Sequence, residues 1–321
     1  MLLRCCRRGG VLLPGARRKA AHPFRGCRGR GVQLTLERVQ IGLAQWLPVP
    51  GRGAQNLAYA VEQITTLGGC DLIVLPELWP NGCDGATAAA DAAAVAEPID
   101  GPRSEVLAAA ARSAGSWLVA GSVPEAAEGR IYNTALVFDR SGTLCGMHRK
   151  AHLYTPLGED LIYAAGDSLL VVETDEFGPL GVVTCFDGDF PEVARSLAGA
   201  GVRIVAHPAA YEVAAESWWD RLYPANALLN GQWWVSVNQC GTNGGVTQLG
   251  GSRVLSPLGE TVAELVRADH GATPAPQSRR VEIDFAAGLA AWEPHCSVLR
   301  DGVRSDLSIE RSGSPTRSTV V

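Results

Sequence analysis

Short apolar runs of strand length alternate with helically spaced stretches from residue 39 to residue 285, and this alternation constrains the fold most. The run Leu72-Ile-Val-Leu75 has no polar residue, so a strand there needs cover on both faces. Similar runs occupy 39–46, 117–123, 132–139, 169–174, 202–206, 233–238, 252–255 and 281–285, and Gly181-Val-Val leads into Cys185. The run at 132–139 continues through Gly142 into a hairpin. Helical spacing covers 53–67, with Leu57, Val61, Ile64 and Leu67 on one face. It recurs over 103–114, with Val106, Leu107, Ala110 and Ala114 together, over 190–199, and over 216–230 with Trp218, Trp219, Leu222 and Leu229. These are too many strand pairs for one doubly wound sheet. Two sheets packed together with helices outside account for the count, in one domain over 37–303 with no internal linker or repeat.

The formal net charge of -5 conceals an asymmetry. Residues 1–36 hold nine Lys/Arg and no acid, which leaves 19 basic against 33 acidic residues beyond them. An acidic body argues against nucleic acid as a partner. No apolar run is long enough to span a membrane. The nine Cys are odd in number and contain no CxxC pair, which fits a reducing compartment, and the expected location is cytoplasmic. Segment 1–36 has the composition of a mitochondrial targeting sequence, the alternative location, but a disordered extension is the preferred reading. Residues 304–321, rich in Ser, Thr and Arg, read as a loose tail.

Four residues invite a chemical reading. Cys185 ends a buried strand at a tight strand-to-helix turn, with Asp189 expected to start the helix and to form a capping box with Glu192. A thiol exposed near the positive end of a helix should have a lowered pKa. Glu77 stands at the carboxyl end of the 72–75 strand, where α/β proteins place reactive groups and where desolvation raises a carboxyl pKa. Lys150 follows the hairpin and Glu159 lies nine residues on. Each also has a plain structural reading. Cys185 is then an inert core thiol, Glu77 a strand-end cap, Lys150 a solvated charge and Glu159 part of a turn with Asp160, while Asn133, which begins a strand, reads as a structural turn partner.

In combination the motifs are specific. Leu75-Pro-Glu77-Leu, Arg149-Lys150-Ala-His152-Leu153 and Cys185-Phe-Asp187-Gly-Asp-Phe-Pro-Glu192 resemble, in order and spacing, the marks of the nitrilase superfamily of carbon–nitrogen hydrolases. The likeness runs over roughly 38–300. It includes Gly251-Ser-Arg-Val-Leu-Ser-Pro257-Leu-Gly259 and Glu159 with Tyr163 and Gly166. The resemblance implies a four-layer α-β-β-α sandwich and a homodimer or higher homo-oligomer, with the helices near 191–199 and 216–230 as candidate interface. It also implies a small-molecule amide substrate and no metal or organic cofactor. Cys185 would be the nucleophile and Glu77 the proton carrier. Lys150 and the Phe186 N–H would hold the oxyanion, and Glu159 would orient Lys150. N-carbamoyl compounds and nitriles are the alternative substrates. A catalytically silent binding member is the reading from a different class, and a papain-like enzyme with His152 or His207 as base is a third.

Departures from the family pattern bear on the substrate. Many amidase members, including those acting on ω-amide acids, carry Arg four residues after the nucleophile, where this chain has Asp189. A free substrate carboxylate should then be disfavoured, and neutral or amine-bearing amides preferred, unless Arg253 reaches the pocket. Trp79, Tyr154 and Tyr211 are expected to line that pocket with Asp189. Pro224-Ala-Asn-Ala replaces an Arg-rich segment of the family, so contacts made there must differ.

Overall fold

The computed structural model describes residues 36–82, 88–243, 245–268, 276–295 and 299. The expected extension lies outside these residues except for Leu36, and the expected tail lies outside them entirely. Leu36 packs on the core and donates its N–H to the Glu176 carbonyl.

The first half of the chain contains β1 (Arg38–Gln45), α1 (Gly53–Thr66), β2 (Leu72–Val74), α2 (Ala88–Val95), α3 (Pro102–Ala114), β3 (Trp117–Ala127), β4 (Arg130–Phe138) and β5 (Leu144–Arg149). Next come β6 (Leu170–Val172), β7 (Leu180–Val182), α4 (Pro191–Gly199), β8 (Ile204–Ala209), α5 (Glu216–Asn230) and β9 (Trp233–Asn238). The last are β10 (Cys240–Asn243), β11 (Val246–Leu249), β12 (Arg253–Leu255), β13 (Thr261–Glu264), β14 (Gln277–Asp284) and α6 (Phe285–Trp292). One six-stranded sheet has the order β14-β1-β2-β3-β4-β5 and the other β13-β12-β9-β8-β7-β6. In each, three central strands run parallel (β1-β2-β3 and β7-β8-β9) and the flanking pairings are antiparallel.

The uninterrupted apolar runs follow from burial on both strand faces. Leu72 and Val74 join Ile204, Ala206 and Val235 in the layer between the sheets. Ile73 and Leu75 point the other way, onto Ile64 of α1 and Leu107 of α3. Val205 packs outward against Val193 and Leu197 of α4 and Trp219 and Tyr223 of α5. Three apolar layers thus separate four layers of secondary structure, the α-β-β-α sandwich.

Two helices are rotated by one position from expectation. Val106 is 39% exposed while Leu107 and Ala111 are buried, and Trp218 and Leu229 are exposed while Trp219, Tyr223 and Ala227 are buried. The elements without a sequence forecast (α2, the β10–β11 hairpin, β13 and α6) are short and lack a clean apolar period.

Gly121 interrupts β3, whose pairing with β4 changes register between Val119 and Ser122. Its φ is +62°, and a Cβ there would lie 1.9 Å from the Pro76 carbonyl oxygen and 2.9 Å from the Trp79 ring. The missing side chain lets the β2 end carrying Glu77 pass closely over β3. Gly121→Ala is expected to cost at least about 2 kcal/mol of stability, through a strained backbone and a backbone clash. Urea unfolding of the two proteins measures it, and an unchanged midpoint would contradict the close approach.

Candidate active site

Three strand ends converge. Glu77 follows β2, donates its backbone N–H to the Ala209 carbonyl at the end of β8, and receives Nε2 of Gln239 on its own carbonyl at 2.7 Å. The two sheets are therefore tied together at the residue that carries the carboxylate. Lys150 follows β5, with its N–H bonded to the Asn133 carbonyl and its carbonyl to the Gly166 N–H, both at 2.8 Å. A Cβ at Gly166 would lie 2.2 Å from the Arg149 carbonyl oxygen, which accounts for glycine there. Cys185 opens a short 3-10 turn, Cys185–Asp189, after β7. Its φ of +46°, and that of Leu78 at +45°, put two non-glycine residues beside the site in the left-handed region.

The side chains form a closed polar ring. The Lys150 ammonium donates to Glu77 at 2.9 Å and to Glu159 at 2.7 Å. Asn133 Nδ2 donates to the same two carboxylates, at 2.8 Å and 3.0 Å. The Tyr154 N–H fixes Glu159 at 2.7 Å, and the Cys185 thiol shares a cavity wall with Glu77, Lys150 and Glu159. All of these side chains are buried. Desolvation would lower the Lys150 pKa, but the charges of Glu77 and Glu159 outweigh it and hold the group well above its ordinary value. Two carboxylates face one ammonium, and burial together with Glu159 pushes Glu77 up despite Lys150. Cys185 is also raised, by burial first and then by the Glu77 charge. The anticipated low-pKa, exposed thiol is thus replaced by a buried protonated one, because loss of solvent outweighs the helix end.

Asp187 staples the Cys185 turn to the Lys150 loop. Its carboxylate accepts from His148 Nε2 and His152 Nδ1, both at 2.8 Å, and from the N–H groups of Ala151, His152 and Thr184. These bonds overcome desolvation and hold Asp187 well below the usual carboxylate range. Thr184 and Asp187 form the capping box of the turn, so the box lies five residues upstream of the one expected at Asp189 and Glu192. Asp189 instead accepts the hydroxyls of Tyr223 and Tyr211, at 2.6 Å and 3.0 Å, and α4 begins after Phe190 without a side-chain cap. Asn226, in the departed Pro224-Ala-Asn-Ala segment, donates to the Gly188 carbonyl and supports the turn from α5.

Neither histidine weighed as a catalytic base bonds the thiol. His207 donates Nε2–H to the Cys185 carbonyl at 3.1 Å, accepts from Ser236, and is pushed down to about 3 by burial. His152 stacks on Phe190 and pairs with Asp187. A papain-like pairing is therefore absent.

The family model for carbon–nitrogen hydrolases matches residues 39–271. The chain belongs to the carbon–nitrogen hydrolase family. It is similar to an omega-amidase of Xenopus laevis, 30% identical over 240 residues that span 71% of this chain and 85% of the relative. Among solved structures it resembles a CN-hydrolase superfamily protein of Xanthomonas campestris with an arsenic adduct in its active site. The TM-score is 0.74 at 26% identity, over 85% of this chain and all of that one. It also resembles an amidase of Nesterenkonia sp. AN1, with a TM-score of 0.67 at 27% identity over 80% and 95% of the two chains. That structure is of a Glu-to-Leu mutant of the amidase and carries the acetamide moiety of fluoroacetamide added covalently at the active site cysteine.

Two cavities open on Cys185 of this carbon–nitrogen hydrolase. One, of about 80 Å³, is lined by Glu77, Lys150 and Glu159. The other, of about 330 Å³, is lined by Tyr154, Phe186, Asp189, Tyr211, Glu212 and Trp218 among others. Trp79, expected in the wall, lines neither. It is fully buried beneath the β2 end with its indole N–H on the Ala120 carbonyl, because its bulk completes the layer under α1 and α3. Arg253 does not reach the pocket either, being held by Asp220 and the Trp219 carbonyl. Asn133, Asp187 and Gln239 were not singled out as site residues. Their signal was a polar side chain inside or beside an apolar strand, which alone does not separate a structural partner from a site residue.

Asp187 raises the pKa of His152 above its ordinary value. The stabilisation from this pair is present in full below about pH 6.5 and is lost as pH rises through the folded-state value. The melting-temperature gap between the wild type and His152→Gln should accordingly be widest near about pH 5 and close by about pH 9. A gap constant across that range would show that the pair is not ionic.

Proposed function

We propose that this chain hydrolyses the carbon–nitrogen bond of a small amide through a thioester on Cys185. The observation that carries the reading is the ring of Glu77, Lys150, Glu159 and Asn133 closed around the thiol at the floor of a cavity. The Cys185 sulfur attacks the carbonyl carbon while Glu77 takes its proton. The oxyanion is held by the Lys150 ammonium and the Phe186 N–H, which lies in the first turn of a 3-10 helix, where backbone donors lack helical partners. Glu77 returns the proton to the nitrogen, the C–N bond breaks, and ammonia leaves a thioester. Water, deprotonated by Glu77, then attacks the thioester, releasing the carboxylic acid and restoring the thiol. The covalent acetamide adduct of the Nesterenkonia amidase supports a cysteine nucleophile in this fold.

Cys185→Ala should abolish ammonia release and leave the melting temperature nearly unchanged, because the side chains are similar in size. Glu77→Gln should lower kcat by about a hundredfold to ten-thousandfold, the usual range for a lost proton carrier. Wild-type levels of ammonia from either variant would refute the assignment. Failure of the wild type to label at Cys185 with an amide, alongside no turnover, would favour a silent binding protein.

The acid limb of the pH–rate profile carries the second test. Glu77 acts as a base only when ionised, so activity rises with pH as it loses its proton. Its raised pKa moves that limb above 4.5, the ordinary glutamate value. A kcat/KM profile flat down to about pH 4 would contradict the role. The exposed Leu228 and Leu229 of α5 support association with a second copy, which sedimentation velocity would test.

A further inference from the structure

The larger cavity beside Cys185 carries charge of one sign only. Asp189 and Glu212 line it, and no Lys or Arg does so among the described residues. Neither carboxylate has an ion-pair partner among those residues. Asp189 is pinned from behind by two neutral donors, the hydroxyls of Tyr223 and Tyr211, one on each oxygen. A carboxylate has about four acceptor sites, so this anchoring orients the group and leaves capacity for a further donor. The tyrosines hold the group in place without supplying positive charge. Burial raises the pKa of both carboxyls, and at Asp189 it outweighs the two tyrosine hydroxyls and the charge of Lys150. Beside aliphatic residues the walls carry Tyr154, Phe186, Tyr211 and the half-exposed Trp218, whose ring faces attract an organic cation.

We propose that this cavity is an ammonium-recognition subsite, and that the substrate is an amide whose chain carries a protonated amine remote from the reacting carbonyl. Asp189 and Glu212 are its specificity-determining residues. This rests on the amide-hydrolase reading and adds the substrate class. The amide group enters toward Glu77 and Lys150, and the ammonium lies among the aromatic rings against the two carboxylates. A substrate carboxylate in the same place meets two like charges in a partly desolvated cavity and is rejected.

The test compares kcat/KM of the full chain for three amides of matched length: pentanamide, δ-aminovaleramide and the monoamide of glutaric acid. The amino amide should lead pentanamide by at least about tenfold, the scale of one charge-assisted hydrogen bond, and the acid monoamide should be poorest. Added salt should narrow the ratio of amino amide to pentanamide. In Asp189→Asn and Glu212→Gln that ratio should fall toward one, and in Glu212→Lys the acid monoamide should overtake the amino amide. Preference of the wild type for the acid monoamide, or a ratio unmoved by salt and by every variant that folds, overturns the subsite while leaving the hydrolase reading standing. No turnover of any of the three, with no thioester formed at Cys185, overturns both.

Discussion

One buried ammonium organises the site. Lys150 sits between Glu77 and Glu159, 2.9 Å and 2.7 Å away, with all three side chains withdrawn from water. Removing such charges from solvent is costly, and only a closed set of partners makes it tolerable. Asn133 closes the set, since its amide nitrogen reaches both carboxylates. The arrangement still carries one more negative than positive charge when both carboxyls ionise. That surplus, with burial, explains why Glu77 holds its proton more tightly than a free glutamate.

The sandwich supplies the convergence. Glu77, Lys150 and Cys185 each stand just beyond a strand, two on one sheet and one on the other. The link from Glu77 N–H to the Ala209 carbonyl, and the Asp187 staple between the Cys185 turn and the Lys150 loop, make the sheets share one register at this edge. Left-handed backbone at Cys185 and Leu78 costs of order 1–3 kcal/mol each, and the packed surroundings sustain it.

The layering could be read from the chain because residues such as Leu72 and Ile73 are apolar on both faces, which forces cover from two sides. The convergence of Glu77, Lys150, Glu159 and Cys185 was legible from motif spacing, since strand ends and turn residues are local. What escaped was longer in range. Asp189 has capping-box spacing with Glu192, yet two tyrosines, 22 and 34 residues away in sequence, take its carboxylate instead. Trp79 lies two residues from Glu77, but its ring turns down into the layer under the helices. Side-chain direction after a strand end is decided by tertiary packing, which local pattern does not encode. The one-position phase errors on α3 and α5 have a related cause. On an Ala-rich or Trp-rich helix several stripes are nearly equally apolar, and the neighbouring layer selects one.

The reversal at the thiol bears on how Cys185 would act in the proposed reaction. A helix end alone would favour a standing thiolate, reactive toward any electrophile that reaches it. Burial and the Glu77 carboxylate instead keep Cys185 protonated, with that carboxylate lining the same small cavity as the thiol. Both pKa values move upward for the same leading reason, the loss of solvent. Proton transfer within the pair leaves the net charge of the site unchanged, and Lys150, whose own proton is held well above its ordinary value, does not compete for it. In the proposed reaction the thiolate therefore forms as the sulfur meets a carbonyl whose oxygen is already held. The charge that appears there is moved a few ångströms within a preset field rather than drawn from water.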